Sequence, residues 1–362
     1  MRPVYFNGKF YAAGMNGVHR AADRLIREFD QLMGAASPDA RPSRAVLLLP
    51  ERHKWAPQLD NIELRFEPRG HSQLWEQFIL PQRASDGVLV NLCNLAPLLH
   101  GRKLLLLHDA QFLFPGNSYP LRLRWGYKLL TPWMARTSAR VMTVSEYSRQ
   151  MLDLLGVVEQ DRCSVVHNGA DHLMGVPAQT GAAAAMGLTA GGYAVHVASA
   201  KTYKNTAVVM RAFELDAVAG TPLVLVGADR SELERAGMKP PKTAVFAGRV
   251  DDAALRDLYE QALCLLFPSR TEGFGLPPIE AMMCGCPAVV SPAGAIPEVC
   301  RDAVLYADVE DPAAWAAAVA NLRDDPLLRA QKSSAGRRRA GDFTWAAAGR
   351  RLFDLTTGVA RN

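Results

Sequence analysis

The stretch SRTEGFGLPPIEAMMCGCPAVVS, Ser269 to Ser291, reads as a strand end, a glycine-bearing loop, a short helix and a second strand. Two carboxylates, Glu272 and Glu280, lie eight positions apart across the loop-to-helix junction. Gly273 and Gly275 stand between them, so the loop backbone can approach a ligand without side-chain bulk. Pro277 and Pro278 suit the opening of a helix, where a missing amide hydrogen costs little. That opening places Glu280 in the helix's first turn, a position the helix dipole favours for an acid. The free amides ahead of the prolines, with the same dipole, predict an anion site. Carboxylates beside such a site are placed for hydroxyls, so the ligand expected is a phosphate compound that also carries sugars.

Outward from this stretch, short apolar runs alternate with helical patterns along all 362 residues, a length that suits two domains. In the first half the expected strands are Ala45 to Leu49, Val88 to Asn91, Leu104 to His108, Arg140 to Val144 and Cys163 to Val166. Helices are expected at Val18 to Met33 and Glu146 to Leu155, the latter capped by Ser145. From Tyr193 the runs YAVHVAS, PLVLVG, TAVFAG, CLLFPS, PAVVS and VLYAD repeat the alternation. Strands alternating with helices imply parallel sheets covered on both faces, with ligands at the carboxyl ends of the strands. The expected division is a first Rossmann-like domain at 1–173, a small-residue connection at 174–192, a second such domain at 193–336 and a C-terminal helix at 337–362 that packs back on the first domain.

Composition sets further bounds. Charged residues make up 21% and hydrophobic ones 49%, ordinary for a folded domain. No apolar run approaches the roughly 18 residues of a membrane span, and MRPVYFNGKF lacks the apolar core of a secretory signal. The six cysteines are scattered, and Cys284 and Cys286 form CGC rather than a metal or redox CxxC, which fits reduced thiols and a cytoplasmic location. A net charge of +5 does not point to nucleic acid. The segment Leu121 to Arg140 holds Arg122, Arg124, Lys128, Arg136 and Arg140 among Trp125, Tyr127 and Trp133, with no acid. It fits either a solvated helix face or a face resting on anionic lipid; a nucleic-acid patch ranks behind both, with no binding motif beside it.

The motifs also carry a resemblance. Glu272 to Glu280, within EGFGLPPIEAMMCGCPAV, resembles the E-x7-E signature of retaining family 4 glycosyltransferases of group 1 type. HVASAKTYKNTAVVMRAF (His196 to Phe213), VFAGRVDDAALRDLYEQALCLLFPS, AGAIPEVCRDAVLYAD (Ala293 to Asp308), LLLLHDAQFLFP and VMTVSEYSRQML are similar to further segments of that family, in order. Together they cover nearly the whole chain and look most like bacterial mannosyltransferases of polysaccharide assembly. The resemblance implies an α/β GT-B fold, two doubly wound Rossmann-like domains facing across a cleft.

It also implies roles. Glu280 would take the ribose hydroxyls and Glu272 the hydroxyls of the transferred sugar, while Gly273, Phe274, Gly275 and Leu276 face the sugar and distal phosphate. Lys204 would neutralise the diphosphate as the leaving group departs. Relatives often carry an Arg just ahead of that lysine; Ser199 and Ala200 stand there instead, leaving Lys201 or Arg249 as the second cation. His108 beside Asp109 fits either a structural pair or a group holding a sugar hydroxyl. Gly14 and Gly17 fit either turn glycines or a close approach to donor phosphate or acceptor, and Asn168 resembles an architectural NG turn.

The expected reaction is retaining, metal-independent and cofactor-free hexose transfer, through front-face substitution. No residue presents itself as the carboxylate nucleophile of a double displacement. GDP-mannose is the preferred donor, a UDP-sugar the alternative, and a glycan or polyprenyl-diphosphate-linked oligosaccharide the acceptor, placing the protein on the inner face of the plasma membrane. A sugar-nucleotide epimerase would lack the E-x7-E frame, a dinucleotide oxidoreductase would need an absent GxGxxG turn, and a non-catalytic sugar-nucleotide binder would not need Glu272 and His108.

Overall fold

The protein is described by a computed structural model covering residues 1–50, 53, 55–67, 72–110 and 121–361, with only the backbone for 121–127. Part of the HDAQFLFP segment therefore lies outside the described residues, as do the side chains of Arg122, Arg124, Trp125 and Tyr127. The described residues form two units, one running to Gly169 and regaining the chain at Trp345, the other spanning Ala170–Thr344.

The first unit holds a seven-stranded, wholly parallel sheet in the order β3-β2-β1-β4-β5-β6-β7. Its strands are β1 (Val4–Asn7), β2 (Ala45–Pro50), β3 (Ile62–Glu67), β4 (Val88–Asn91), β5 (Lys103–Leu107), β6 (Arg140–Thr143) and β7 (Cys163–Val165). AVLLLP in β2 is buried at every position, as expected of a strand covered on both faces. Tyr5, Val46, Leu48, Trp75 and Leu89 share one core cluster beneath it.

The second unit repeats the plan with six parallel strands in the order β10-β9-β8-β11-β12-β13. These are β8 (Ala194–Val197), β9 (Leu223–Val226), β10 (Ala244–Gly248), β11 (Cys264–Phe267), β12 (Ala288–Val290) and β13 (Leu305–Tyr306). Each sheet reverses its strand order once, between β1 and β4 and between β8 and β11. Such a reversal opens a crevice at the carboxyl ends of the flanking strands.

Three segments differ from the sequence-based picture. Residues 174–192, small and alanine-rich, belong to the second unit and are pinned along the Asp252–Gln261 helix. There the Ala183 N–H donates to Asp257 Oδ2 at 3.0 Å, the Gln179 N–H to Ala253 O at 3.1 Å, and Arg256 Nη1 to Val176 O at 2.8 Å. The tail expected as one helix from 337 is two. Pro326–Ala340 stays with the second unit, and Trp345–Arg361 lies on the Gly17–Ala35 helix of the first, where the rings of Phe29 and Phe353 are 4.9 Å apart. The basic aromatic segment forms a helix only over Leu121–Arg136, and Arg140 opens β6.

Candidate functional site

The second sheet's reversal brings together the two loops that the sequence singled out. The loop after β8 carries Lys204, and the loop after β11 carries Glu272. Lys204 Nζ donates to Glu272 Oε1 at 2.7 Å. The ammonium also stands 5.3 Å from the ring centres of both Tyr203 and Phe267, within cation–π range. The lysine side chain keeps 24% of its surface, so the pair is open to a ligand.

Each half of the pair is braced by backbone. Asn205 adopts a left-handed conformation, φ 53°, that turns the chain from Lys204 into the Thr206–Ala212 helix. Its side chain donates to Val309 O at 2.7 Å and accepts from Arg270 Nη2 at 3.1 Å; Arg270 also pairs with Glu310. The Arg270 N–H donates to Tyr203 O at 2.8 Å, tying the two loops directly. Beneath Ser199, the Thr206 hydroxyl donates to the Ser199 carbonyl at 2.9 Å and lies 3.0 Å from His196 Nε2. His196 is buried, and desolvation pushes it down to about 4, so it is neutral.

Glu272 is backed by Gly294, a residue that sequence reasoning missed. Gly294 has φ 62°, and a Cβ there would come within 2.5 Å of the Glu272 nitrogen. The Ala295 N–H then donates to the Glu272 carbonyl at 3.0 Å. Gly275, φ 93°, is the N-cap of the Leu276–Met283 helix, and a Cβ on it would strike Ile296. Phe274 is buried edge-on to Phe343, with ring centres 5.4 Å apart.

The helix opens at Leu276, which corrects the placement of Glu280. It is the fifth residue, and the first turn contains no acid. The dipole therefore does not explain Glu280. Its observed neighbour is His172, whose side chain is fully buried and whose Nε2 lies 3.3 Å from Glu280 Oε1. His172 sits on a single 3-10 turn, Asp171–Gly175, and no periodic pattern in the sequence marks it.

The other expected cations are less engaged. Lys201 is exposed, with Nζ 5.9 Å from the Tyr203 ring on the same loop as Lys204. Ser199 Oγ accepts the Lys201 N–H at 3.2 Å. Arg249 is exposed just beyond β10, and β9 separates that strand from β8.

In the first unit, His108 follows β5. Its ring Nε2 donates to Leu92 O at 2.9 Å, and its backbone N–H donates to Asn94 Oδ1 at 2.7 Å. Burial pushes the imidazole down to about 4 and keeps it neutral. Gly14 and Gly17 are exposed, with no atom within 4 Å of a Cβ built on either. Asn16 caps the helix between them by accepting the His19 N–H at 3.0 Å, and Gly14 O lies 2.8 Å from His19 Nδ1. Asn168 is buried, and Ser145 caps its helix by accepting from the Ser148 N–H. Sequence reasoning also missed Asn7, Lys9 and Glu76, which meet at the first sheet's reversal. All six cysteines are free, and five are buried.

Comparison with known proteins adds the following. Residues 190–339 match the family model of glycosyl transferases group 1. The O-antigen chain mannosyltransferase B of Escherichia coli is 33% identical over 163 residues, 42% of this chain and 42% of the relative. The D-inositol 3-phosphate glycosyltransferase of Thermobispora bispora is 36% identical over 105 residues, 28% of this chain and 24% of the relative. The matched part thus spans less than half the length of these curated relatives. Among solved structures, sucrose-phosphate synthase from Thermosynechococcus elongatus superposes with a TM-score of 0.73 at 17% identity, covering 99% of both chains. Anabaena HepE in complex with UDP and glucose superposes at 0.72 and 15% identity, also over 99% of each chain. The fold along the whole chain is therefore that of these two structures, two parallel-sheet Rossmann-like units of the GT-B type.

Proposed function

Proceeding from the group 1 glycosyltransferase domain at residues 190–339, we propose that the protein transfers a hexose, with retention, from a nucleoside-diphosphate sugar to a glycan or lipid-linked acceptor. The observation that carries this reading is the Lys204–Glu272 pair at the reversal of the second sheet. On donor binding, the Lys204 ammonium turns to the diphosphate and stabilises it as the glycosidic bond breaks. That movement frees the Glu272 carboxylate to accept from hydroxyls of the transferred sugar. Backbone N–H groups of residues 273–276 and the helix they open hold the distal phosphate. Glu280 accepts from the ribose hydroxyls. Lys204 does the charge work for which a metal would otherwise serve, so transfer persists in EDTA. The enzyme acts by orientation and leaving-group stabilisation, and the departing phosphate takes the acceptor's proton. Neutral His108, its Nε2–H engaged by Leu92 O, offers Nδ1 as an acceptor to a sugar hydroxyl.

Mannosyltransferase relatives favour GDP-mannose as donor; the UDP complex of HepE favours a UDP-sugar. Thermal shift and hydrolysis across a panel of GDP- and UDP-sugars decides between them. Failure of every nucleotide sugar to raise the melting temperature would overturn the transferase reading. The anomeric configuration of the product, read by NMR coupling, tests retention.

A membrane-bound acceptor is supported by the Leu121–Arg136 helix, where Leu129, Leu130 and Trp133 are exposed beside Lys128 and Arg136. Among the described residues no helix is long and apolar enough to cross a membrane, so the proposed association is peripheral. Co-sedimentation with anionic vesicles should fall when Arg122, Arg124 and Lys128 are neutralised.

A further inference from the structure

Glu280 is buried at 7% exposure, and the dipole of its own helix does not hold it, because it stands past the first turn. His172 meets it from another segment. That segment is held at both ends, where the Ala170 N–H donates to Phe343 O at 3.1 Å and Arg256 Nη1 donates to Val176 O at 2.8 Å. The His172 side chain is fully buried, so its approach to Glu280 is fixed by packing. At 3.3 Å the two atoms are within ion-pair reach, but their geometry does not make a hydrogen bond. Contacts of this kind tighten when the ligand completes the site.

We propose that His172 is a positioning residue for nucleotide recognition, fixing the plane of the Glu280 carboxylate so that its remaining lone pairs face a vicinal diol. This rests on the reading above in which Glu280 receives the ribose. Without His172 the carboxylate can rotate about its last side-chain bonds, and two hydroxyls no longer find two oriented acceptors. The consequence is selective. Affinity for a ribonucleotide falls, whereas affinity for a nucleotide lacking one ribose hydroxyl does not.

The test uses the full chain and calorimetric titration with GDP and UDP and with their 2′-deoxy and 3′-deoxy counterparts. The wild-type protein should prefer the ribonucleotide by about ten-fold or more, near the worth of one hydrogen bond to a charged group. His172→Leu should reduce that preference to within about two-fold while binding the deoxy compounds as the wild type does. His172→Gln, whose amide reaches the place of Nε2, should keep most of it. His172→Asn, polar but too short, gives the same comparison should the leucine variant not fold. A folded leucine or asparagine variant that keeps the full preference, or weakens ribo and deoxy compounds equally, overturns the role of His172. A wild-type protein with no ribose preference instead overturns the assignment of Glu280 itself.

Discussion

The two sheets reverse strand order at equivalent places and put opposite things there. Between β1 and β4, Asn7 Nδ2 donates to Glu76 Oε1 at 2.8 Å and to Asn91 Oδ1 at 3.0 Å, while Lys9 donates to Glu76 Oε2 at 2.7 Å. Both oxygens of Glu76 are engaged, and the network is closed. Between β8 and β11, only Oε1 of Glu272 is bonded among the described residues, and it is bonded to a lysine that a more strongly charged anion can take away. One carboxylate–lysine pair holds its unit together; the other, in the transfer proposed above, is exchanged for substrate. Fold alone does not make the difference, since the crevice is the same. It comes from the glycine-framed loop beside Glu272 and from the second acceptor oxygen left unused.

Separating these two pairs experimentally is the sharpest test. Lys204→Ala or Glu272→Ala should lower kcat/KM by about 10²–10³-fold with little change in melting temperature. Glu76→Ala should do the reverse, leaving Lys9 without its partner and costing about 3–5 kcal/mol of stability by urea denaturation. Near-normal transfer by Lys204→Ala would remove the leaving-group role. A Glu76→Ala protein of wild-type stability that no longer transfers would make the first crevice a reaction site as well.

The units are alike in one respect, and pH exposes it. His108 in the first and His196 in the second are both pushed down to about 4 by burial. A folded pKa below the unfolded value of about 6.5 means that protons bind the unfolded chain preferentially as pH falls. The stability these two groups contribute is therefore complete above about pH 6.5 and is lost between there and about pH 4. Each group contributes on the order of 3 kcal/mol across that window. Urea midpoints at several pH values between 7.5 and 4.5 check this, and His108→Asn or His196→Asn should each flatten the slope. An unchanged slope in both variants would show that neither imidazole is buried neutral.

Which cation stands second to Lys204 is a smaller question. Lys201 shares its loop and flanks the same Tyr203 ring. Arg249 follows a strand two places from the crevice, about 10 Å away at normal strand spacing. Lys201→Ala should therefore weaken nucleoside-diphosphate binding by about ten-fold and Arg249→Ala by no more than about two-fold. The opposite order would move the diphosphate toward β10.

Legibility in the sequence followed the same contrast. Most of the apolar parallel strands were plain, because strands covered on both faces are continuous hydrophobic runs; the buried strand Val4–Asn7 was missed, being only four residues long and ending on a polar residue. Ile62–Glu67 was missed: at the edge of its sheet it is buried only at its two ends, Ile62 and Glu67, mixes charged with apolar residues between them and makes no such run. Glu272 and Gly275 were visible because glycines and prolines mark a loop that opens a helix, and Lys204 through the resemblance of its segment to a known family. His172 and Gly294 act on Glu280 and Glu272 across the fold. Nothing local distinguishes a histidine in a short turn, or a glycine in AGAIPEV, from any other. Glu76 hid for a related reason, lying in a π-helical turn, Trp75–Ile79, whose period matches neither helix nor strand templates.

The smallest expected effect concerns Cys284, which lies at the end of the same helix as Glu280. Its backbone does the structural work. The Cys284 N–H donates to Glu280 O at 3.1 Å, and its carbonyl accepts from Arg337 Nη2 at 3.2 Å. The thiol itself is buried, and desolvation pushes it up to about 12, so it is protonated and unreactive at neutral pH. Cys284→Ser keeps both backbone contacts and places a hydroxyl where a weak donor stood. It should cost about 1 kcal/mol of stability, leave transfer within about two-fold of wild type and leave the ribose preference intact. A large loss of transfer at wild-type stability would mean that the far end of this helix, and not only its opening loop, shapes the donor site. The contrast between an exchangeable pair and a closed scaffold would then have to be drawn within one unit instead of between two.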